Sequence, residues 1–475
     1  MMKTITQHYI NGRFVASVGQ ETMVITSPVT KKPVARLTLG NEQDTRDAIE
    51  AARKAFISFS KTSIAERAVY LQRLHDAILA REMEHIAART LEYGGVPLHN
   101  QFSIQGTARL FLNMKKTLEN YTFSKKLGAA QVVMKPVGVC ALITPWNSAI
   151  FMVCNKLAPA IAAGCTSVIK ASELSPLQIQ LLAECIDVAG LPPGVVNIVH
   201  GRGDVVGAEL TRHPHVSKIS FTGSTATGRV IMRGAAETFK RLTLELGGKS
   251  PHIVLDDANP DDAARFALEA AFRNNGQACI AGSRLLVPEH MLEEMKQALL
   301  RALPEWKVGN PEEPEVRIGP AVNETQYRKV QDYIRQGIKE GAQLLAGGEG
   351  TPEGLEDGYF TRPTIFTNVT NQMTIARDEI FGPVLCVITW RTEEDAIQIA
   401  NDTPYGLQGW VSTSDPEHGY RIAEQIEAGA VMVNKTFDML DEAGIPAGGM
   451  KQSGFGREFG VYGLEAYLEP QALFV

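Results

Sequence analysis

The stretch of sequence that decides the fold is Lys218-Ile-Ser-Phe-Thr-Gly-Ser-Thr-Ala-Thr-Gly228. Its first four residues predict a buried strand, and residues 226–236 predict a helix. Backbone N–H groups at the start of that helix, together with the Ser224 hydroxyl, are placed to receive a diphosphate. The stretch therefore predicts a strand–turn–helix unit of an α/β fold.

Short strands and helical segments alternate around this stretch and again farther along the chain. The first cycle predicts a doubly wound, Rossmann-like domain, and the second predicts another α/β domain. The first 125 residues are expected to be mainly helical, because apolar residues recur there at spacings of three and four. The predicted strands are 166–170, 195–199, 218–221, 242–246, 251–255 and 284–287, and the predicted helices are 45–59, 64–81, 103–121, 176–189, 205–211, 226–236, 260–275 and 291–303.

Two further segments predict β-strands without partners in either domain. They are residues 125–135 and the C-terminal residues 466–475. A strand with an unpaired edge is a template for pairing with another chain. We therefore expect these segments to pair with a second subunit.

The composition excludes several classes of protein. The 475 residues are 44% hydrophobic and 21% charged, as in an average globular protein, and the formal net charge is −6. A nucleic-acid-binding protein would normally be basic, so no nucleic-acid partner is expected. Residues 136–165 are the most membrane-like stretch, but Asn147, Ser148, Asn155 and Lys156 interrupt it. We therefore predict that they form buried interior and that the chain has no membrane segment.

The cysteines and histidines indicate a compartment and argue against a metal site. Six cysteines occur without a CxxC pair, and the N-terminus lacks the apolar core of a signal peptide, so a reducing cytoplasm is expected. His213 and His215 are the one close histidine pair, and spacing supplies no third ligand. No metal is therefore predicted.

Three side chains are candidates for chemistry, each with a plainer alternative. Cys279 follows a helical run among small residues, although most cysteines are simply buried. Glu245 ends an apolar strand beside two glycines, where burial would raise its pKa toward that of a general base, unless it is an exposed strand end. Asn147, in Pro145-Trp-Asn147, can donate to an oxyanion or simply stabilise a turn.

Seven motifs occur in an order and with separations that resemble the aldehyde dehydrogenase superfamily. The resemblance spans essentially the whole chain, and chance would rarely produce all seven in this order. The motifs are Pro145-Trp-Asn147, Lys170-Ala-Ser-Glu173, Phe221-Thr-Gly-Ser224, Glu245-Leu-Gly-Gly-Lys249, Gly276-Gln-Ala-Cys279, Glu379-Ile-Phe-Gly-Pro383 and Gly448-Gly-Met-Lys-Gln-Ser-Gly454.

The resemblance implies a division of the chain into three parts. Residues 1–116 and 137–247 would form a Rossmann-like nucleotide-binding domain, and 248–450 an α/β catalytic domain. Residues 117–136 and 451–475 would form a β-strand oligomerisation arm and tail. The implied assembly is a homodimer or homotetramer.

By the same resemblance, Cys279 attacks the carbon of a small-molecule aldehyde, and Asn147 with the Cys279 backbone N–H stabilises the oxyanion. Glu245 would then activate the water that releases the acid. Relatives that acylate coenzyme A generally lack this glutamate, so hydrolysis is favoured over the alternative of a CoA-acylating semialdehyde dehydrogenase. A non-catalytic structural member of the fold is the other alternative. Glu458, with Lys156, matches a second acidic position that relays protons in some members.

The cofactor implied by the resemblance is NAD. Lys170 and Glu173 match residues that hold the adenosine ribose, Ser224 faces the diphosphate, and Glu379 and Phe381 lie at the nicotinamide ribose. The Glu173 carboxylate would repel the 2′-phosphate of NADP, although some relatives with this acid use both cofactors. The remaining residues implied in cofactor binding are Trp146, Phe221, Gly223 and Gly247.

The substrate tunnel departs from members that oxidise simple aliphatic aldehydes. Ser148, Asn155 and Ala447 stand where those members have aromatic residues. The departure predicts a wider, more polar tunnel and a bulky or oxygen-bearing aldehyde. Acidic residues in the loop 437–444 are candidates for contact with a hydroxylated or cationic substrate.

Overall fold

The computed structural model describes residues 2–435 and 444–474. The helices, numbered along the chain, are α1 (Glu42–Phe59), α2 (Ile64–Leu79), α3 (Glu82–Tyr93), α4 (Pro97–Asn120), α5 (Ala149–Ala163), α6 (Pro176–Ala189), α7 (Ala208–Arg212), α8 (Thr225–Ala236), α9 (Pro260–Phe272), α10 (Leu292–Ala302), α11 (Glu324–Lys339), α12 (Thr374–Arg377), α13 (Glu393–Asn401), α14 (Pro416–Ala423) and α15 (Gly460–Glu465). The strands are β1 (Lys3–Ile5), β2 (Gln7–Ile10), β3 (Arg13–Ala16), β4 (Thr22–Thr26), β5 (Pro33–Thr38), β6 (Ser124–Leu127), β7 (Ala130–Pro136), β8 (Val139–Ile143), β9 (Thr166–Lys170), β10 (Val196–Ile198), β11 (Val216–Thr222), β12 (Arg241–Glu245), β13 (Pro251–Val254), β14 (Arg284–Pro288), β15 (Gln343–Ala346), β16 (Thr364–Thr367), β17 (Val384–Trp390), β18 (Gln408–Ser412), β19 (Ala430–Val433), β20 (Gly454–Phe455) and β21 (Leu468–Phe474).

The first large sheet has the strand order β20-β12-β11-β8-β9-β10-β2-β3. Strands β8 to β12 are parallel, and the order reverses between β8 and β11. In such doubly wound sheets, ligands bind beyond the carboxyl ends of the strands at the point of reversal. The predicted Rossmann-like fold is therefore present, and its topology marks where a ligand site belongs.

The second large sheet has the order β15-β16-β17-β14-β13-β18-β19 and is parallel except for the edge strand β15. The chain passes from the first sheet to the second through residues 246–250, between β12 and β13. This connector carries Gly247 and Gly248, which consequently lie where the two sheets approach each other.

The segments predicted to lack partners form a separate three-stranded sheet, β21-β7-β6. β21 pairs antiparallel with β7 from Leu468 opposite Pro136 to Phe474 opposite Ala130. All four residues of β6 are exposed. Among the described residues no strand pairs with the outer edge of β6, so that edge is open to another chain.

Two predictions of secondary structure were wrong in detail. The N-terminal region contains the strands β1 to β5, which the helical periodicity did not reveal because they have only three to six residues. It also contains the helix α3, which was not predicted. The helix predicted for 260–275 ends at Phe272. Asn274, Asn275 and Gly276 have φ angles of 56°, 61° and 68°, and left-handed residues cannot continue a right-handed helix.

The membrane-like stretch 136–165 is protein interior, as predicted. All of β8 and nearly all of α5 are buried. In the described part of the chain, no helix combines the length and the apolar character needed to cross a bilayer.

Candidate active site

Cys279, Asn147 and Glu245 line one cavity of about 220 Å³. Asn147 follows β8 and Glu245 ends β12, so both lie at the carboxyl edge of the first sheet. Cys279 comes from the loop after α9, on the side of the second sheet. The structure thus brings together the three candidates that the sequence singled out.

A left-handed turn at 274–276 presents Cys279 to the cavity. Asparagine is one of the few residues other than glycine that adopts this conformation readily. The Asn275 carboxamide holds the turn: its Nδ2 donates to Gly94 O and Pro320 O, both at 3.2 Å, and its Oδ1 accepts from Gly319 N at 2.8 Å. The Asn-Asn-Gly sequence therefore ends α9 and sets the position of the thiol.

Cys279 is the one half-buried cysteine, since the other five are buried thiols. Burial raises the pKa of the Cys279 thiol to about 12, and the carboxylates of Glu379 and Glu245 add to the shift. The thiol therefore keeps its proton until a base takes it or a positive charge approaches.

The Asn147 side chain is buried and is held against the loop that carries Cys279. Its Nδ2 donates to the carbonyl oxygen of Gln277 at 2.9 Å. A carboxamide nitrogen carries two N–H bonds. One of them fixes the amide against the loop, and the other has no acceptor among the residues that the structure describes.

Glu245 presents a buried carboxylate oxygen, Oε1, that has no hydrogen-bond partner among the described residues. Burial raises the pKa of Glu245 well above its ordinary value, and the nearby Glu458 carboxylate raises it further. A Cβ at Gly448 would come within 2.8 Å of Glu245 Oε1, so the glycine leaves room for this carboxylate. Such an oxygen is suited to exchanging a proton with water.

A second buried acid lies behind Glu245. Lys156 Nζ donates to Glu458 Oε1 at 2.6 Å, and Asn155 Nδ2 donates to Glu458 Oε2. The Ser220 hydroxyl donates to Glu458 Oε1 at 3.4 Å. The Lys156–Glu458 pair expected from the resemblance is therefore present, whereas the contact of Asn155 with Glu458 was not anticipated.

The cavity walls correct the expected loss of aromatic side chains. Ser148, Asn155 and Ala447 do line the cavity, as expected. Aromatic wall is nevertheless supplied by Phe102, Phe151 and Phe459. The cavity is consequently less polar than predicted. The acids of the 437–444 loop, Asp438, Asp441 and Glu442, lie outside the described residues.

The predicted adenosine side of the cleft is assembled at the carboxyl ends of β9 and β11. Lys170 Nζ donates to the Glu173 carboxylate at 2.8 Å. Ser224 caps α8, since its Oγ accepts from Thr227 N at 3.2 Å. A Cβ at Gly223 would lie 2.4 Å from the Phe221 ring, so close packing at this turn requires glycine.

The predicted nicotinamide side is assembled around Glu379. Its Oε1 accepts from Gly248 N at 3.2 Å, and burial raises the pKa of this carboxyl. A Cβ at Gly247 would approach the Glu379 carboxylate to 2.5 Å. The Phe381 ring meets Trp146 edge-on, with ring centroids 5.4 Å apart. Glu379 therefore contacts the connector at Gly247 and Gly248, and Phe381 contacts Trp146.

The cavity and the nucleotide side meet at the connector between the sheets. A Cβ at Gly248 would lie 2.5 Å from the Cys279 carbonyl oxygen. The loop that carries the thiol therefore packs directly on the glycine whose N–H holds Glu379.

A family model, that of the aldehyde dehydrogenase family, matches residues 14–473. The chain belongs to the aldehyde dehydrogenase family. It is 45% identical over 474 residues to a 3-succinoylsemialdehyde-pyridine dehydrogenase of a Pseudomonas species, with 99% of each chain covered. The predicted enzyme class and fold are thereby confirmed.

Solved structures of aldehyde dehydrogenases superpose on the whole chain. Aldehyde dehydrogenase C of Pseudomonas syringae, a cysteine-to-alanine mutant complexed with NAD+ and octanal, has a TM-score of 0.97 and 42% identity and covers 99% of this chain and 96% of its own. Betaine aldehyde dehydrogenase of Staphylococcus aureus in complex with NAD+ has a TM-score of 0.95 and 34% identity and covers 98% of this chain and 94% of its own.

Proposed function

We propose that the protein oxidises a bulky aldehyde to its carboxylic acid with NAD as the hydride acceptor. The observation that carries the proposal is that Cys279, Asn147 and Glu245 surround one cavity, beside the Glu379 side of the cleft. The family relationship supports the reaction class, because relatives of this fold are aldehyde dehydrogenases crystallised with NAD+.

In the first step, Cys279 Sγ forms a bond to the aldehyde carbon, the π bond of the carbonyl breaks, and the thiol proton passes to solvent. The carbonyl oxygen becomes an oxyanion, which needs donors at the point where the charge develops. We assign this role to the second N–H of Asn147 and to the Cys279 backbone N–H. The product of the step is a tetrahedral thiohemiacetal on Cys279.

The residues of the nucleotide side fit NAD. Lys170 and Glu173 would hold the adenosine ribose, the N-terminus of α8 at Ser224 the diphosphate, and Glu379 the nicotinamide ribose. Gly247 leaves room for the Glu379 carboxylate, because a Cβ at this position would come within 2.5 Å of it. When bound, NAD supplies an acceptor for the hydride that leaves the substrate carbon. NADP is the alternative cofactor.

Glu245 is assigned to the release of the acid from the thioester that remains on Cys279. Its raised pKa and unpartnered oxygen suit it to take a proton from water, which then attacks the acyl carbon. The carbon–sulfur bond breaks, the acid leaves, and the Cys279 thiolate takes up a proton from solvent. The Glu458–Lys156 pair, placed behind Glu245, would pass the proton onward.

The substrate is proposed to have a bulky, largely apolar body. Phe102, Phe151 and Phe459 provide wall area for such a body, and Asn155 offers a polar group at depth. Two relatives point the same way: one is named for a pyridine-bearing semialdehyde, and another was crystallised with octanal.

The open edge of β6 supports a homo-oligomer built through the arm and tail, either a dimer or a tetramer. We also propose that residues 1–116 and 137–247 form the nucleotide-binding domain, residues 248–450 the catalytic domain, and residues 117–136 and 451–475 the oligomerisation arm and tail. Six unpaired thiols support a reducing cytoplasm.

An aldehyde panel tests the proposal. Formation of NADH or NADPH is followed with acetaldehyde, octanal, benzaldehyde and betaine aldehyde, each with NAD and with NADP. We expect octanal or benzaldehyde with NAD to give the highest kcat/KM. The best efficiency with acetaldehyde would contradict the substrate assignment. Rapid acyl-CoA formation on addition of coenzyme A would contradict hydrolysis.

A further inference from the structure

Arg89, on α3, is a buried cation without an acidic partner in the described part of the chain. The residue is 1% exposed, and no carboxylate of the described residues forms an ion pair with it. Its guanidinium instead donates to three neutral oxygens: Ser103 Oγ at 2.8 Å, Asn274 Oδ1 at 2.9 Å and Asn147 O at 3.3 Å. Buried charges are normally paired. All three acceptor residues line the cavity, which suggests a role in the reaction rather than in stability.

Tyr93, four residues after Arg89 on α3, holds the left-handed turn at residues 274–276 from a second side. The Arg89 guanidinium lies over the Tyr93 ring, 5.2 Å from its centroid. The Tyr93 hydroxyl donates to Asn274 O at 2.8 Å and accepts from Gln277 Nε2 at 3.2 Å. Asn274 is therefore fixed by both its side chain and its main chain, in the left-handed conformation that precedes Cys279.

The contacts close into a network that includes the amide of Asn147. Asn274 Nδ2 donates to Asn147 O and to Gln277 O, both at 3.2 Å. Asn147 Nδ2 donates to the same Gln277 oxygen. Any shift of the Asn274 side chain would consequently move Asn147 relative to Cys279.

We propose that Arg89 is a positioning residue for aldehyde oxidation, which fixes the Asn147 amide relative to Cys279 by binding Asn147 O and the Asn274 side chain together. The inference rests on the proposed function, in which Asn147 stabilises the oxyanion. The hydrogen bond between Arg89 and Asn274 joins parts of the chain that are 185 residues apart. Only the planar fork of arginine offers donors in several fixed directions, whereas lysine concentrates its donors at one atom.

The test is single-turnover NADH formation with octanal at saturating NAD. Arg89→Met removes the donors, and the resulting misplacement of Asn147 should slow hydride transfer by about 10- to 100-fold. Arg89→Lys keeps the charge, is better suited to folding, and should give a smaller loss. Melting temperatures and NAD binding confirm that each variant is folded.

Arg67 provides a matched control. It is also buried, lies 5.2 Å over an aromatic ring, that of Phe123, and donates to the backbone oxygen of Ala162, away from the cavity. Arg67→Met should lower the melting temperature without slowing hydride transfer. Equal slowing in Arg67→Met and Arg89→Met would show that loss of a buried arginine, not positioning, causes the effect, and would overturn the inference.

A double-mutant cycle separates positioning from general damage. In the Asn147→Ala background, Arg89→Met should add little further slowing, because the group that it positions is gone. Additive losses would overturn the inference while leaving the proposed function intact. If Asn147→Ala alone did not slow hydride transfer, the proposed role of Asn147 would itself fail, and the inference with it.

Discussion

The cavity side and the nucleotide side of the cleft differ in how their polar groups are satisfied. In the cavity, Glu245 Oε1 and Thr222 Oγ1 are buried, and no group in the described part of the chain forms a hydrogen bond with them. On the nucleotide side, Lys170 is paired with Glu173, and Glu379 accepts from a backbone N–H. Buried polar groups in folded proteins are normally satisfied, so the exceptions need a reason.

This difference in hydrogen bonding indicates that the nucleotide side binds the cofactor and that the cavity side carries the chemistry. Paired groups are held in one geometry, which suits residues that hold a cofactor. An unpartnered buried carboxylate such as Glu245 can gain or lose a proton at little geometric cost, and ionisable groups with perturbed pKa values cluster where reactions occur. We therefore expect changes on the cavity side to reduce turnover, and changes on the nucleotide side to weaken cofactor binding.

Cys279→Ala should have the largest effect. Without the sulfur no covalent intermediate forms, and aldehyde oxidation should fall by at least about 10⁴-fold, as when a catalytic nucleophile is removed. NAD affinity, measured by isothermal titration calorimetry, should stay that of the unaltered protein. Substantial remaining NADH formation would place the chemistry elsewhere.

Glu245→Gln should divide the reaction in two. The first turnover should produce a burst of NADH at the normal rate, and steady-state turnover should then fall by about 10²- to 10⁴-fold, the usual contribution of a general base. Stopped-flow absorbance resolves the two phases. Equal loss of burst and turnover would contradict the division of roles between Cys279 and Glu245.

The pH dependence of turnover should reveal the same carboxylate. Burial and the neighbouring Glu458 raise the pKa of Glu245, and the ionised form acts as base. Steady-state turnover should therefore rise with pH through the raised pKa, by about tenfold per unit below it. This limb should be absent from the profile of Glu245→Gln, and its persistence there would assign the titration to another group.

Glu173→Gln, on the nucleotide side, should have the smallest effect. It removes the charge that faces Lys170 and the proposed ribose contact, which should raise KM for NAD by about tenfold, the value of one charge-assisted hydrogen bond. The kcat should be unchanged, and discrimination against NADP should weaken. A fall in kcat with an unchanged KM for NAD would contradict the expectation that changes on the nucleotide side weaken cofactor binding rather than turnover.

The sequence predicted the site where local pattern and topology agree. Glu245 lies at the end of a parallel strand and Asn147 follows one, so their common location at one sheet edge follows from the alternation of strands and helices. The pattern failed at Asn274 and Asn275, where a helix was predicted to continue. Two asparagines before Gly276 carry a signal for left-handed backbone that helical periodicity conceals.

Arg89 and the aromatic walls were not predictable from local pattern. The proposed role of Arg89 depends on its contact with Asn274, which lies 185 residues away. The sequence near either residue does not predict this contact. Phe102 and Phe459 likewise come from segments far apart in the chain and meet only at the cavity. Such contacts depend on tertiary packing, which strand and helix periodicity do not encode.

The most direct test of the central claim is intact-protein mass spectrometry of Glu245→Gln after mixing with octanal and NAD. If the sulfur of Cys279 carries the acyl group, the protein should gain the mass of the aldehyde less two hydrogens. Peptide mapping should place that mass on Cys279, and the adduct should be absent when Cys279 is also replaced by alanine. An NADH burst without this adduct, or an adduct on another residue, would contradict the account.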